Sequence, residues 1–144
     1  MSSEITAKDF VLLLYLDNQK PIKGNLFFQK EMFLIVEEVY PELRKELGFY
    51  PHNHGPYSDN LVNILNNLKD NNFIDYDSEG NEYSITKEGI KYIESIKFPE
   101  DIANKVKNLK VGSNRLGYKG LLRYVYFNYP RYTPNSKIKE LLGG

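Results

Sequence analysis

Apolar side chains recur at helical spacing near the middle of the chain, and polar side chains fill the positions between them. Over residues 59–71 the apolar positions lie three or four residues apart, which predicts a helix with one buried face. Ser58 stands directly before this segment and is a residue type that caps helix N-termini. The predicted buried positions are Leu61, Ile64, Leu65 and Leu68.

Two short strands follow this helix. Residues 73–77 and 82–86 are rich in aromatic and β-branched residues, and the polar segment 78–81 between them predicts a hairpin turn. Thr86 then caps a predicted helix over residues 87–97. A turn, an amphipathic helix and a two-stranded hairpin in this order are typical of the second half of a winged helix-turn-helix.

Two longer helices are predicted before this unit. The first covers residues 6–17 with Thr6 as its N-cap, and the second covers residues 26–40 with Asn25 as its N-cap. The second helix is so apolar that we expect it to lie in the centre of the core.

The connection from the second helix to Ser58 combines a short helix and a loop. Residues 42–47 predict a short helix that ends at Gly48, because glycine commonly terminates helices. Residues 49–56 contain two prolines and a glycine, and their composition predicts a loop.

Beyond Pro99 the pattern is again helical. Residues 100–110 and 114–129 predict two helices separated by Gly112 and Ser113, and residues 137–142 predict a short closing helix. The expected fold class is therefore α+β and mainly helical: a winged helix-turn-helix with a two-stranded wing and a C-terminal helical extension. We expect a winged-helix domain over residues 1–98 and a basic extension over residues 99–144, which serves in packing or dimerisation.

Composition narrows the functional classes. The chain has no cysteine, which excludes disulfides and thiolate catalysis. Its first residues lack the pattern of a signal peptide, and its apolar runs are too short to span a bilayer. We therefore expect a cytoplasmic protein without membrane association.

Charge is distributed unevenly. Residues 1–99 contain ten Lys and Arg against sixteen Asp and Glu, whereas residues 100–144 contain nine against three. The basic C-terminal region either packs on the acidic region or presents a surface to a polyanion.

The helix over residues 59–71 is the first candidate for reading DNA. Asparagine amides on its polar face could bond adenine in the major groove. The predicted wing, however, carries Asp75, Asp77, Glu79 and Glu82, which phosphates would repel. The alternative is that this helix face is only solvated.

The C-terminal region offers a second candidate. Arg115, Lys119 and Arg123 lie four residues apart and would form one stripe on a helix, which could follow a phosphate backbone. The alternative is that this helix packs on the acidic domain or on a second subunit.

Chemistry of other kinds has little support. His52 and His54 could share a metal, but the sequence contains no third histidine and no cysteine to complete the site. No phosphate-binding glycine-rich loop and no nucleophile motif occurs. We therefore predict a protein without enzymatic activity, metal or cofactor.

Several segments together resemble a known family. They are Phe28-Gln29-Lys30, Gly55-Pro56-Tyr57-Ser58 and Tyr83-Ser84-Ile85-Thr86-Lys87-Glu88-Gly89. In these the chain is similar to small prokaryotic winged-helix proteins, a group that includes MarR/PadR-like transcriptional regulators. The resemblance implies a DNA-binding regulator that acts as a homodimer through an added terminal helix. A related antitoxin-like group uses similar scaffolds to bind proteins, so the alternative is an interaction module of antitoxin or phage-defence type.

On the leading hypothesis the partner is double-stranded DNA, with self-association and a protein partner as further expectations. The predicted DNA-contacting residues are Lys30, Tyr57, Ser58, Asn60, Asn63, Asn67, Lys69, Arg115, Lys119 and Arg123.

Overall fold

A computed structural model of the chain describes residues 5–133, and these form an α+β fold that is mainly helical. Helix α1 (Ala7–Leu13) is followed by the two-residue strand β1 (Ile22–Lys23) and the long helix α2 (Gly24–Glu38). Thr6 is the N-cap of α1 as predicted, and its backbone N–H donates to the Asp9 carboxylate. Helix α2 begins two residues before its predicted start.

The segment between α2 and Ser58 contains more regular structure than the sequence predicted. A 3₁₀ turn (Pro41–Leu43) leads into helix α3 (Arg44–Leu47), which ends at Gly48 with φ +57°. Strands β2 (Tyr50–His52) and β3 (Gly55–Tyr57) then form an antiparallel hairpin where a loop was predicted. Pro51 pairs with Pro56, and a proline has no backbone N–H to donate. Prolines are tolerated at these positions because the hairpin has only two strands, whereas the interior of a wider sheet would need both N–H groups.

The central unit agrees with its prediction. Helix α4 (Asp59–Asp70) is followed by strands β4 (Ile74–Asp77) and β5 (Glu82–Ile85) and then by helix α5 (Lys87–Glu94). Strand β5 lies in the middle of a three-stranded antiparallel sheet with the order β1-β5-β4. The strand between α1 and α2 is thus paired with the hairpin that follows α4.

Helix α6 (Glu100–Asn128) corrects the predicted break. The helix continues through Gly112 and Ser113, and its backbone leaves helical geometry at Gly117, which has φ +71° and ψ 179°. This conformation is essentially restricted to glycine. A second 3₁₀ turn (Pro130–Tyr132) follows α6, and the predicted closing helix over residues 137–142 lies outside the described residues.

Helix α2 is the centre of the core. Its side chains Phe28, Met32 and Ile35 are fully buried, and the helix packs on α1, β1, β3 and α6. Edge-to-face contacts join Phe33 to Tyr129 and Tyr132, with ring centroids 5.1 and 4.8 Å apart. These contacts hold the end of α6 against α2. None of the described helices combines the length and apolar character required to cross a bilayer.

Candidate functional site

The N-terminus of α4 is fixed by buried hydrogen bonds. The Ser58 Oγ accepts from the Leu61 backbone N–H at 3.0 Å and donates to the Leu47 carbonyl. Ser58 has no exposed surface. The hydroxyl therefore joins α4 to α3, and Ser58 must be removed from the predicted DNA-contacting residues.

Helix α2 holds the backbone just before α4 through two adjacent polar side chains. The Gln29 Oε1 accepts from the Ser58 N–H at 2.7 Å, and its Nε2 donates to the Ser58 carbonyl at 3.0 Å. The Lys30 Nζ donates to the Pro56 carbonyl at 3.2 Å. We call these bonds the α2 clasp. They join the segment Phe28-Gln29-Lys30 to the segment Gly55-Pro56-Tyr57-Ser58.

Burial overturns the predicted surface role of Lys30. The side chain is 0% exposed, so its ammonium cannot contact a ligand at the surface. Burial lowers the pKa of Lys30 to about 8. Gly55 lies beside this lysine and has φ +90°, a backbone conformation that favours glycine, whereas a Cβ there would make only an ordinary contact of 3.6 Å with the Lys30 Cε.

The outer face of α4 is polar and exposed. Asn63 lies near the middle of this face, Asn60 and Asn67 lie along one edge of it, and Lys69 lies along the other edge. The Asn60 Nδ2 donates to the Glu46 carbonyl of α3 at 2.9 Å. The amides of Asn63 and Asn67 are one helical turn apart, which suits contact with successive bases in a major groove. The three predicted asparagines are therefore presented together, whereas Lys69 lies on the opposite edge of the face.

Tyr57 lies beside this face but is half-buried. Its Oη accepts from the Asn25 Nδ2 at 3.1 Å, and its ring centroid lies 5.0 Å from that of His52. Tyr50 packs against both rings and donates its hydroxyl to Asp59 at the start of α4. Tyr50 and His52 were not in the predicted set, because the hairpin that aligns them was predicted as a loop.

The β4–β5 hairpin is acidic, as its sequence indicated. Asp75, Asp77 and Glu79 are exposed, whereas Glu82 forms an ion pair with Lys23 of the neighbouring strand at 3.2 Å. The exposed carboxylates make the tip of this hairpin unfavourable for contact with phosphate.

The three predicted basic residues of α6 are exposed but do not form one regular stripe. Arg115 precedes the break at Gly117, and Lys119 and Arg123 follow it. Because the break separates Arg115 from the other two, a spacing of four residues places only Lys119 and Arg123 on the same helix face. Helix α6 packs on α2 and β3, whereas α4 packs on α1, α3 and β4, so the two predicted groups belong to different packing units.

A buried ion pair attaches the first part of α6 to α2. The Lys110 Nζ lies 3.0 and 3.2 Å from the two Glu31 carboxylate oxygens, and the Ser113 hydroxyl donates to the same carboxylate. Glu31 is 0% exposed and Lys110 is 5% exposed. Burial raises the pKa of Glu31, and Lys110 and Ser113 oppose that rise.

A second set of bonds attaches the part of α6 beyond Gly117. The hydroxyls of Tyr124 and Tyr129 donate to the Glu38 Oε2 at 2.9 and 2.6 Å. Burial, then the bond to Glu38, raises the pKa of both tyrosines. Glu31 and Glu38 are seven residues apart, which places them on the same side of α2.

The His52–His54 pair lies in and beside β2, and His52 packs between Tyr50 and Tyr57. Within residues 5–133, no cluster of three or more His, Asp and Glu is arranged as a metal site.

Comparisons with known proteins do not assign the chain to a family. No family model matches it, and no curated protein matches it.

Proposed function

We propose that the chain is a winged helix-turn-helix protein that binds DNA as a transcriptional regulator. The order of elements supports the fold: α1, α2 and α4 are followed by the β4–β5 hairpin, and β1 pairs with β5. In such a fold α4 is the helix that enters the major groove. The observation that carries the proposal is the exposed amide face of α4, held by buried bonds from α2 and α3.

The phosphate contacts of this proposal come from α6 rather than from the wing. Arg115, Lys119 and Arg123 are exposed, and the ion pairs of the described residues do not include them. The acidic β4–β5 tip stays away from the backbone.

We further propose that the regulator is a homodimer. Three apolar side chains of α6 are strongly exposed, with Phe127 at 73%, Leu116 at 51% and Val111 at 43%. Exposed apolar surface of this kind favours self-association, and two-fold dimers suit paired half-sites on DNA.

Binding of the purified protein to random-sequence and AT-rich duplexes at low and moderate salt tests the proposal. We expect salt-sensitive binding that weakens on Asn63→Ala/Asn67→Ala substitution. We also expect the Arg115→Ala/Lys119→Ala/Arg123→Ala variant to reduce the salt slope by about 3 at most, since each phosphate contact contributes roughly 0.9.

A variant with the same loss of charge elsewhere provides the control. Lys45, Lys91 and Lys97 are exposed on other elements, and their replacement by alanine should leave the salt slope within about 1 of the wild-type value. Absence of binding at low salt, or equal losses in both triple variants, would contradict the proposal.

A second candidate function is a protein-interaction module whose partner is basic. The observation that favours it is the ring cluster of Tyr50, His52 and Tyr57 beside Asp59, because aromatic rings and carboxylates together suit Arg and Lys side chains. A chain that binds no DNA but binds an arginine-rich peptide, with loss of that binding in Tyr50→Ser/Asp59→Asn, would replace the first proposal by this one.

A further inference from the structure

A cavity of about 400 Å³ lies where the two parts of α6 meet α2. Its volume falls within the range of small-molecule sites in proteins. Its walls are largely apolar and come from both parts of α6 and from the end of α2. The apolar lining residues are Leu34, Val39, Leu109, Leu116 and Leu121.

Gly112 keeps part of this cavity open. It lies inside the helical part of α6 and lines the cavity, and a Cβ at this position would meet no atom within 4 Å. Glycine inside a helix is less favourable than alanine. The open space beside Gly112 could thus hold a side chain, and alanine at this position would favour the helix more than glycine does.

One oriented carboxylate lies in the lining. The Glu38 Oε2 accepts from Tyr124 and Tyr129, and Tyr124 itself lines the cavity. Glu38 is exposed, the two tyrosine bonds both end on Oε2, and Oε1 accepts from none of the described residues, so it is free to accept from a ligand. Lys105 lines the same cavity, but the ion pairs formed by the described residues do not join it to Glu38.

We propose that this cavity binds a small amphipathic amine. Its apolar body lies against the leucine walls, and its ammonium donates to the Glu38 Oε1 beside the Tyr124 ring. Apolar walls with one oriented charged group are the usual composition of a small-molecule site. A ring face near the ammonium adds a cation–π attraction. The proposal does not depend on the binding of DNA.

Isothermal titration of the full-length protein with matched probes tests the site. We expect 2-phenylethylamine to bind at least about tenfold more tightly than 3-phenylpropionate, which replaces the ammonium by a carboxylate and would have to use Lys105. Equal affinity, preference for the acid, or no binding of the amine would overturn the proposal.

Two charge variants assign the ammonium contact. Glu38→Gln should weaken the amine at least about tenfold, whereas Glu42→Gln, an exposed residue of the first 3₁₀ turn, should leave its affinity within about threefold. Lys105→Met should also keep the amine within about threefold or tighten it. An unchanged affinity in Glu38→Gln, or a loss in Lys105→Met as large as that expected for Glu38→Gln, would contradict the assignment.

A cavity-filling variant separates binding from folding. Gly112→Leu places a side chain into the open space while improving the helix, so its melting temperature should not fall and its amine affinity should drop at least about tenfold. If this variant is folded and binds the amine like the wild type, the cavity is not the site.

Discussion

Lys30 and Glu31 are adjacent on α2 and are both fully buried, yet they have different partners. Lys30 donates to a backbone carbonyl, and burial lowers its pKa to about 8. Glu31 pairs with the Lys110 ammonium and also accepts from Ser113. The first residue holds the chain that leads into α4, and the second holds α6.

The difference shows that α2 attaches these two regions by different physical means. In the described part of the chain no carboxylate pairs with the buried Lys30 ammonium of the α2 clasp, so removal of its charge should stabilise the fold. In the Glu31–Lys110 pair each charge compensates the other. Loss of one partner would leave an unpaired buried charge, which destabilises the folded state. Single substitutions at six positions test and extend this comparison, from the largest expected effect to the smallest.

Glu31→Gln should have the largest effect. It leaves the Lys110 ammonium buried without its carboxylate, and the free energy of unfolding should fall by about 3–5 kcal/mol. Urea unfolding at pH 7 measures this change.

The double variant Glu31→Met/Lys110→Met is the control, because it removes both charges and keeps apolar volume. Most of the stability lost in Glu31→Gln should return. A double variant as unstable as the single one would show that the effect comes from packing rather than from charge.

Lys30→Met should stabilise the protein at pH 7 by about 1–3 kcal/mol. The upper value corresponds to the lowering of the Lys30 pKa from 10.5 to about 8, at 1.36 kcal/mol for each pKa unit, and the lost bond to the Pro56 carbonyl reduces it. Denaturant unfolding of both proteins gives the difference.

The pH dependence of the stability difference tests whether the buried Lys30 ammonium is its cause. Between about pH 8 and 10.5 the unfolded wild type binds more protons at residue 30 than the folded protein, so wild-type stability rises with pH relative to Lys30→Met. Below about pH 8 the full penalty is present. A constant difference between the two proteins over this range would contradict a buried ammonium.

Ser58→Ala should lower the free energy of unfolding by about 1–2 kcal/mol, because it removes the N-cap of α4 and the bond to the Leu47 carbonyl. Ser95→Ala is a matched control, since Ser95 is exposed and its hydroxyl bonds only locally to the Tyr92 carbonyl. Equal effects at both positions would argue against a special role for the Ser58 cap.

Arg115→Ala, Lys119→Ala and Arg123→Ala should have the smallest effects, within about 0.5 kcal/mol each, because these side chains are exposed. Thermal or urea unfolding of each variant measures this. A loss above about 1 kcal/mol would show that the residue takes part in packing α6, and its variant could not then report on DNA binding alone.

Much of the central unit could be predicted because its signals are local. The leucine spacing and Ser58 predict α4 almost to the residue, and the turn at 78–81 predicts the β4–β5 hairpin. Both structures follow from side-chain periodicity and capping within a few neighbouring residues.

The errors arise where packing between distant segments decides the structure. Lys30 and Ser58 are polar and were predicted at a surface, but Lys30 donates to the Pro56 carbonyl and Ser58 donates to the Leu47 carbonyl. The break in α6 was predicted at Gly112 and Ser113, whereas it lies at Gly117. Both parts of α6 pack on α2, and the helix breaks between them at Gly117. Residue type alone does not show at which glycine the break occurs.

The α2 clasp also affects how relatives of this chain should be sought. Phe28-Gln29-Lys30 and Gly55-Pro56-Tyr57-Ser58, two of the three segments on which the expected resemblance rests, lie largely inside, where the Gln29 and Lys30 side chains bond to the backbone of Ser58 and Pro56. These segments therefore set the orientation of α4, whereas the outward positions of α4 take no part in the α2 clasp. A search aimed at common activity should therefore weigh the outward positions of α4 and the lining of the α6 cavity above the segments that are easiest to detect.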